Sequence, residues 1–177
     1  MIHFIVVSHT MRFALRFFSL FFSLIGALLG VLAPQHIYAA STATATVTFS
    51  VGTITALTVS GNPATLAISA AVAGSQPTSV TDASTSYAVT TNASSESITG
   101  AINSDMPTGV TLSINLAAPT GGTSAGAVSM TTTAQSLVTA ISQVAQAGLT
   151  ITYTLAATVA AGAVSSTTRT VTYTLTP

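Results

Sequence analysis

Apolar and polar residues take turns through much of this chain, and a period of two admits one regular structure, a β-strand with one face turned inward. The pattern is unbroken at Ala43, Ala45, Val47, Phe49 and Val51, with Thr or Ser in every gap. It returns in Leu57/Val59, Leu66/Ile68, Tyr87/Val89, Ile98/Ile102 around Gly100, Val110/Leu112/Ile114/Leu116, Leu149/Ile151/Tyr153/Leu155 and Val171/Tyr173/Leu175. Between these runs lie Gly61-Asn62-Pro63, Gly74-Ser75-Gln76-Pro77, Asp105-Met106-Pro107-Thr108-Gly109, Pro119-Thr120-Gly121-Gly122 and Ala161-Gly162, whose residue types supply the backbone angles of turns. The spacing suits hairpins rather than βαβ units. The expected fold is all-β, a single antiparallel Ig-like β-sandwich of about seven or eight strands.

Two stretches complicate this reading. Residues 134–147 carry Leu137, Ile141 and Val144 at spacings of four and three, which fits a short amphipathic helix, whereas Val138 and Ala140 fit a strand. Leu112-Ser113-Ile114-Asn115-Leu116-Ala117-Ala118 is echoed by Ile151-Thr152-Tyr153-Thr154-Leu155-Ala156-Ala157, and each leads to an Ala-Gly-Ala-Val-Ser sequence. One recurrence is too few for a solenoid, so two similar hairpins in one sandwich are expected.

The first 40 residues read as a signal peptide. Arg12 and Arg16 precede the apolar run Phe17 to Ala33, and Pro34 to Ala40 closes with small residues, giving the order of basic, apolar and cleavable regions that export requires. Cleavage is expected after Ala39 or Ala40. Residues 1–10 are apolar where charge is wanted, and Met11 opens a more compact signal, so Met11 is the expected start. The domain organisation is then a signal peptide at 1–40 and a β-sandwich at 41–177, with membrane contact only through the signal.

Charge is scarce and its placement decides which chemistry survives export. The chain has three basic residues, three acidic residues, three His and no Cys. His3, His9, His36, Arg12 and Arg16 all lie in the signal, leaving Asp82, Glu96, Asp105 and Arg169. Nucleophilic hydrolysis needs a base beside the hydroxyl, and residues 41–177 contain no His, Lys or Cys to provide one. No enzymatic activity, no cofactor and no nucleic-acid partner are therefore expected. Without Cys there are no disulfides, so the fold must hold by packing and hydrogen bonding.

The remaining candidates are few. Asp82, Glu96 and Asp105 are placed in turns or at strand ends, where acids keep a neutral surface soluble. Asn103-Ser104-Asp105 with Asp82 offers oxygens for Ca²⁺ but lacks a calcium-loop spacing, and the expectation is no metal. Asn92-Ala93-Ser94 matches a glycosylation sequon, but three-residue patterns are common and the expectation is a polar loop after the Tyr87 strand. Arg169, at the entry to the last strand, either pairs with an acid or blunts an edge. Tyr87, Tyr153 and Tyr173 are expected in the core with hydroxyls at its rim, a stacking platform for sugar being the competing use.

The run from Thr42 to Val51 stands directly after the expected cleavage point. It is either the first strand of its own sandwich or a strand that adds to a neighbouring subunit, where main-chain hydrogen bonds give affinity and Ala43, Ala45, Val47, Phe49 and Val51 set register. With its Thr-rich strands and its Thr170-Val171-Thr172-Tyr173-Thr174-Leu175 end, the chain resembles bacterial secreted surface β-sandwich proteins, the group that includes fimbrial subunits and the cell-surface domains named for a Trp-x-Leu motif. It carries no Trp and no Cys, so neither the Trp-x-Leu signature nor a pilin-type disulfide is present. The function expected is a non-enzymatic secreted or cell-surface structural protein, extracellular or periplasmic, such as a fimbria-like or matrix subunit that associates with itself or a surface protein. The alternative is an adhesin-like module binding a glycan or a protein.

Overall fold

The computed structural model describes residues 40–177, so the signal-peptide reading and the choice of Met11 as start lie outside the described residues. The chain divides between Thr48 and Phe49. Of the first unit, residues 40–48 are described; all are exposed and none lies in a strand. The second unit, Phe49–Pro177, is all-β and folds as a sandwich of two antiparallel sheets.

Its strands are β1 (Thr55–Val59), β2 (Val80–Thr91), β3 (Glu96–Ile102), β4 (Val110–Leu116), β5 (Thr123–Ser124), β6 (Val128–Ser129), β7 (Gln135–Ile141), β8 (Val144–Ala157) and β9 (Val171–Thr176). A five-stranded sheet runs β1-β2-β8-β4-β6 and a four-stranded sheet runs β5-β7-β3-β9. The inward residues of both sheets form one core: Tyr87, Val89, Ile114, Leu116 and Ile151 from the first meet Ile98, Ile102, Leu137, Val138 and Ile141 from the second. Each such side chain, taken fully out of water, contributes about 1.5–3 kcal/mol, and no disulfide supplements them.

The echoed segments are neighbours. β4 and β8 pair antiparallel with Leu112 opposite Leu155, Ile114 opposite Tyr153 and Leu116 opposite Ile151, so the repeated pattern is arranged about a local two-fold axis through the Ile114–Tyr153 pair. The echo does not extend to matching hairpins, because Val128–Ser129 pairs with β4 while the corresponding Val164-Ser165 lies outside any strand.

One open reading is decided, for the strand, and two expectations are corrected. Residues 134–147 form no helix; they form β7, a tight turn at Ser142-Gln143 and the start of β8. Register shifts on β7 explain the misleading spacing: Thr99 faces Ser136, Ile98 faces Val138 and Glu96 faces Ile141, so β7 spends extra residues on each step. The bulges put Leu137, Val138 and Ile141 all inside, a helix-like spacing produced by a broken strand, with Ala140 at φ 59°. Leu66/Ile68 is no strand either; Leu66 packs against the core from the long connection between β1 and β2. Residues 42–51 likewise form no strand, and are not the first strand of this chain's own sandwich.

Candidate functional site

Sheet edges are where this fold keeps unsatisfied backbone, and its two sides treat them differently. On one side β5 and β6, the outer strands of the two sheets, are two residues each and are joined by Ala125–Ala127, so this short strap passes from one sheet to the other. The Ser124 hydroxyl fastens it, donating to the Leu116 carbonyl at 2.6 Å and accepting from the Gly126 N–H at 3.1 Å. Very short, tied edges offer little to pair with.

On the other side the outer strands are β1 and β9, and among the described residues no ladder joins them. Each therefore carries a row of backbone groups with no strand beside it. A groove of about 500 Å³ lies between the two, with Leu57, Val59, Val171, Tyr173 and Leu175 among its lining. These are the residues whose alternation marked β1 and β9 as half-buried strands. They pack against the core cluster or lie at its rim without being covered from outside.

Two polar arrangements bound the groove. On its inner side, the hydroxyl of Tyr173 donates to the hydroxyl of the buried Tyr153 at 2.9 Å, linking the last strand of one sheet to the centre of the other. Burial, and then the hydrogen bond and charge of Tyr153, push the Tyr173 phenol well above its ordinary value. At the end where β1 starts, the Thr55 hydroxyl donates to Glu96 Oε1 at 2.9 Å. Glu96 is 0% exposed, and its Oε2 has no hydrogen-bond partner among the described residues.

The chain entering β1 is held by Asn92. Its Oδ1 accepts from the Ile54 N–H at 2.7 Å, its Nδ2 donates to the Gly52 carbonyl at 2.8 Å, and its backbone N–H donates to the Ile54 carbonyl at 3.2 Å. Residues 52–54 thereby continue the line of β1 past the end of β2. Before them, Val47, Phe49 and Val51 are 78%, 87% and 77% exposed, and Ala43 and Ala45 are exposed as well.

The other candidates are placed as follows. Asp82, near the start of β2 at a register shift, accepts from Ser84, and Asp105, between β3 and β4, accepts from Thr132 in the β6–β7 connection. No group of three or more His, Cys, Asp or Glu able to hold a metal occurs among the described residues. Among the described residues Arg169 pairs with no acid side chain: its Nε and Nη2 donate to the Asp105 backbone carbonyl at 3.1 and 2.8 Å, tying the approach to β9 onto the β3–β4 turn. Tyr87 and Tyr153 are buried, Tyr87 with its hydroxyl on the Ala117 carbonyl, so the three tyrosines form no exposed platform. Glu96 does not serve the surface as expected. Its phase with Ile98 and Ile102 was the available signal, since all three fall on the inward face of β3. Asn92, which the sequence offers as part of a sequon or a polar loop, lies in the bend between β2 and β3 with its side chain engaged as a clamp.

No protein-family model, curated protein or solved structure matches the chain.

Proposed function

We propose that this is a non-enzymatic structural protein, exported to the cell surface or beyond, whose subunits associate by strand pairing into a filament or matrix. One observation carries the reading: an alternating segment, Ala43 to Val51, is exposed and outside any sheet while the sandwich keeps two strand edges open on one side. A period-two segment without a partner is a strand in composition only, and main-chain pairing to an open edge gives it the ladder it lacks. Repeated head to tail between copies, such a contact yields a linear assembly wherever its rotation does not close a ring. The lack of His, Lys and Cys in residues 41–177 supports a structural rather than catalytic role. The burial of Tyr87 and Tyr153 weakens the sugar-binding alternative.

The test is size-exclusion chromatography and electron microscopy of residues 41–177 beside the same protein lacking 41–51. Large or ladder-like assemblies are expected from the first and monomers from the second. Assemblies that persist without residues 41–51, or a strictly monomeric parent, would overturn the reading.

A further inference from the structure

We infer that the outer face of the five-stranded sheet is an ice-binding surface, on which central strands hold Thr and Ser hydroxyls in a charge-free grid that matches a layer of crystalline water. The inference is independent of the strand-pairing reading, which uses the sheet edges and not this face.

The grid follows from register. Leu149, Ile151 and Tyr153 are buried, so Thr150, Thr152 and Thr154 of β8 alternate with them onto the outer face. Across the strands, Thr81 of β2, Thr154 of β8, Ser113 of β4 and Ser129 of β6 stand side by side in one row. Asn115 lies beside Thr152, and Ser86 beside Thr150, in the rows that follow. Neighbouring strands are about 4.8 Å apart and residues i and i+2 about 6.8 Å apart, so the backbone fixes both repeats. Within the row the hydroxyls are also tied to one another, Thr81 to Thr154 at 3.2 Å and Ser113 to Ser129 at 3.5 Å. Thr is stiff about its first side-chain bond, so a ligand that orders these groups removes little freedom.

What the face lacks selects the occupant. The four charged residues of 40–177 lie off it: Glu96 is in β3, Asp105 is in the turn before β4, Arg169 precedes β9, and Asp82 stands opposite the inward Tyr153. A protein partner is anchored by aromatic or Arg side chains, a nucleic acid by Lys and Arg, and a stacked sugar by an aromatic ring. This grid supplies none of them. It presents short side chains whose oxygens donate and accept at fixed intervals, with Thr methyl groups between. A face of ice is the complement, being uncharged and rigid, with rows of oxygens repeating on the same scale and hydrogen bonds left open at its surface. Contact between two neutral grids strips no ion of its water. Because strands twist against one another, a flat crystal meets this sheet only over neighbouring strands, so the contact centres on β2, β8 and β4 around Thr152 and Thr154.

The test uses residues 41–177, with ice itself as the probe. Grain growth in frozen thin films and the freezing–melting gap of single crystals are measured for the parent, Thr152→Lys, Thr150→Lys and Thr99→Lys, the last on the other sheet. Urea denaturation first establishes that each variant is folded. The parent is expected to arrest grain growth and open a freezing–melting gap. Thr152→Lys and Thr150→Lys are expected to need at least tenfold more protein for the same effect, and Thr99→Lys to behave as the parent. A parent without effect on ice, or folded Thr152→Lys and Thr150→Lys variants as active as the parent, would overturn the proposal. So would dimers in liquid water that Thr152→Lys abolishes while ice growth is unaffected, a result that assigns the face to a second copy.

Discussion

Thr55, the first residue of an exposed edge strand, gives its hydroxyl to Glu96 Oε1, on the facing sheet, at 2.9 Å, and the other oxygen of that buried carboxyl has no partner among the described residues. A buried polar group deprived of its bond loses the full cost of having left water. Thr55→Val is expected to destabilise by about 1–3 kcal/mol, because it strands both oxygens. Adding Glu96→Leu is expected to recover part of that loss, since removing both partners removes the unmet need. Urea denaturation of the two variants checks this; a double variant less stable than the single would refute it.

The phenols set an alkaline limit. Burial raises Tyr87 from 10.0 to about 12, and Tyr173 is raised further in the same direction. A raised value means the folded state keeps its proton longer, so the contribution is fully present below pH 10 and is lost as pH climbs through 10 toward 12 and above. Thermal melts should be flat with respect to these groups in the neutral range and fall steeply above pH 10. Tyr173→Phe is expected to cost about 0.5–1.5 kcal/mol at neutral pH through the lost hydrogen bond and to soften the alkaline decline.

Gly109 and Gly126 share left-handed backbone angles, φ 77° and 75°, yet differ in surroundings. A Cβ on Gly109 would lie 2.9 Å from the backbone nitrogen of Ala161, while one on Gly126 meets nothing within 4 Å. Both Ala variants carry the angular strain, and Gly109→Ala also displaces main chain. It should lose at least about 1 kcal/mol more than Gly126→Ala in parallel denaturation curves.

Ala140 holds φ 59° in the bulge of β7. That conformation costs a non-glycine residue about 1–2 kcal/mol, more than the roughly 0.5–1 kcal/mol of flexibility that glycine loses in folding. Ala140→Gly is thus expected to be neutral or to stabilise by up to about 1 kcal/mol, measurable as a raised Tm.

Much of the fold was readable because alternation reports phase directly. Tyr87/Val89, Ile98/Ile102, Leu112/Ile114/Leu116 and Leu149/Ile151/Tyr153 each mark a strand and its inward face, and all lie in the core. Phase says nothing about partners, so Thr42 to Val51 has a strand's pattern without a strand's neighbours. It also fails wherever a strand inserts a residue, as between Leu137 and Ile141, where two bulges imitate a helical period. At the groove, the inward residues of β1 and β9 were visible in sequence, but their being the outer strands of the same side was not, since strand order is set by long-range pairing. Asn92 was hidden for a related reason: a clamp is defined by the backbone it reaches, Gly52 and Ile54, some forty residues away.

The strap from β5 to β6 has a consequence for growth. On the strand-pairing proposal, sealing one flank leaves each subunit a single socket, and the segment before Gly52 serves as a single plug. Units of valence two, with unlike ends, add in one orientation and cannot branch. A fibre built this way has a terminus showing an empty socket and a terminus showing a bare tail, so a short synthetic tail peptide would cap the first and leave the second able to extend.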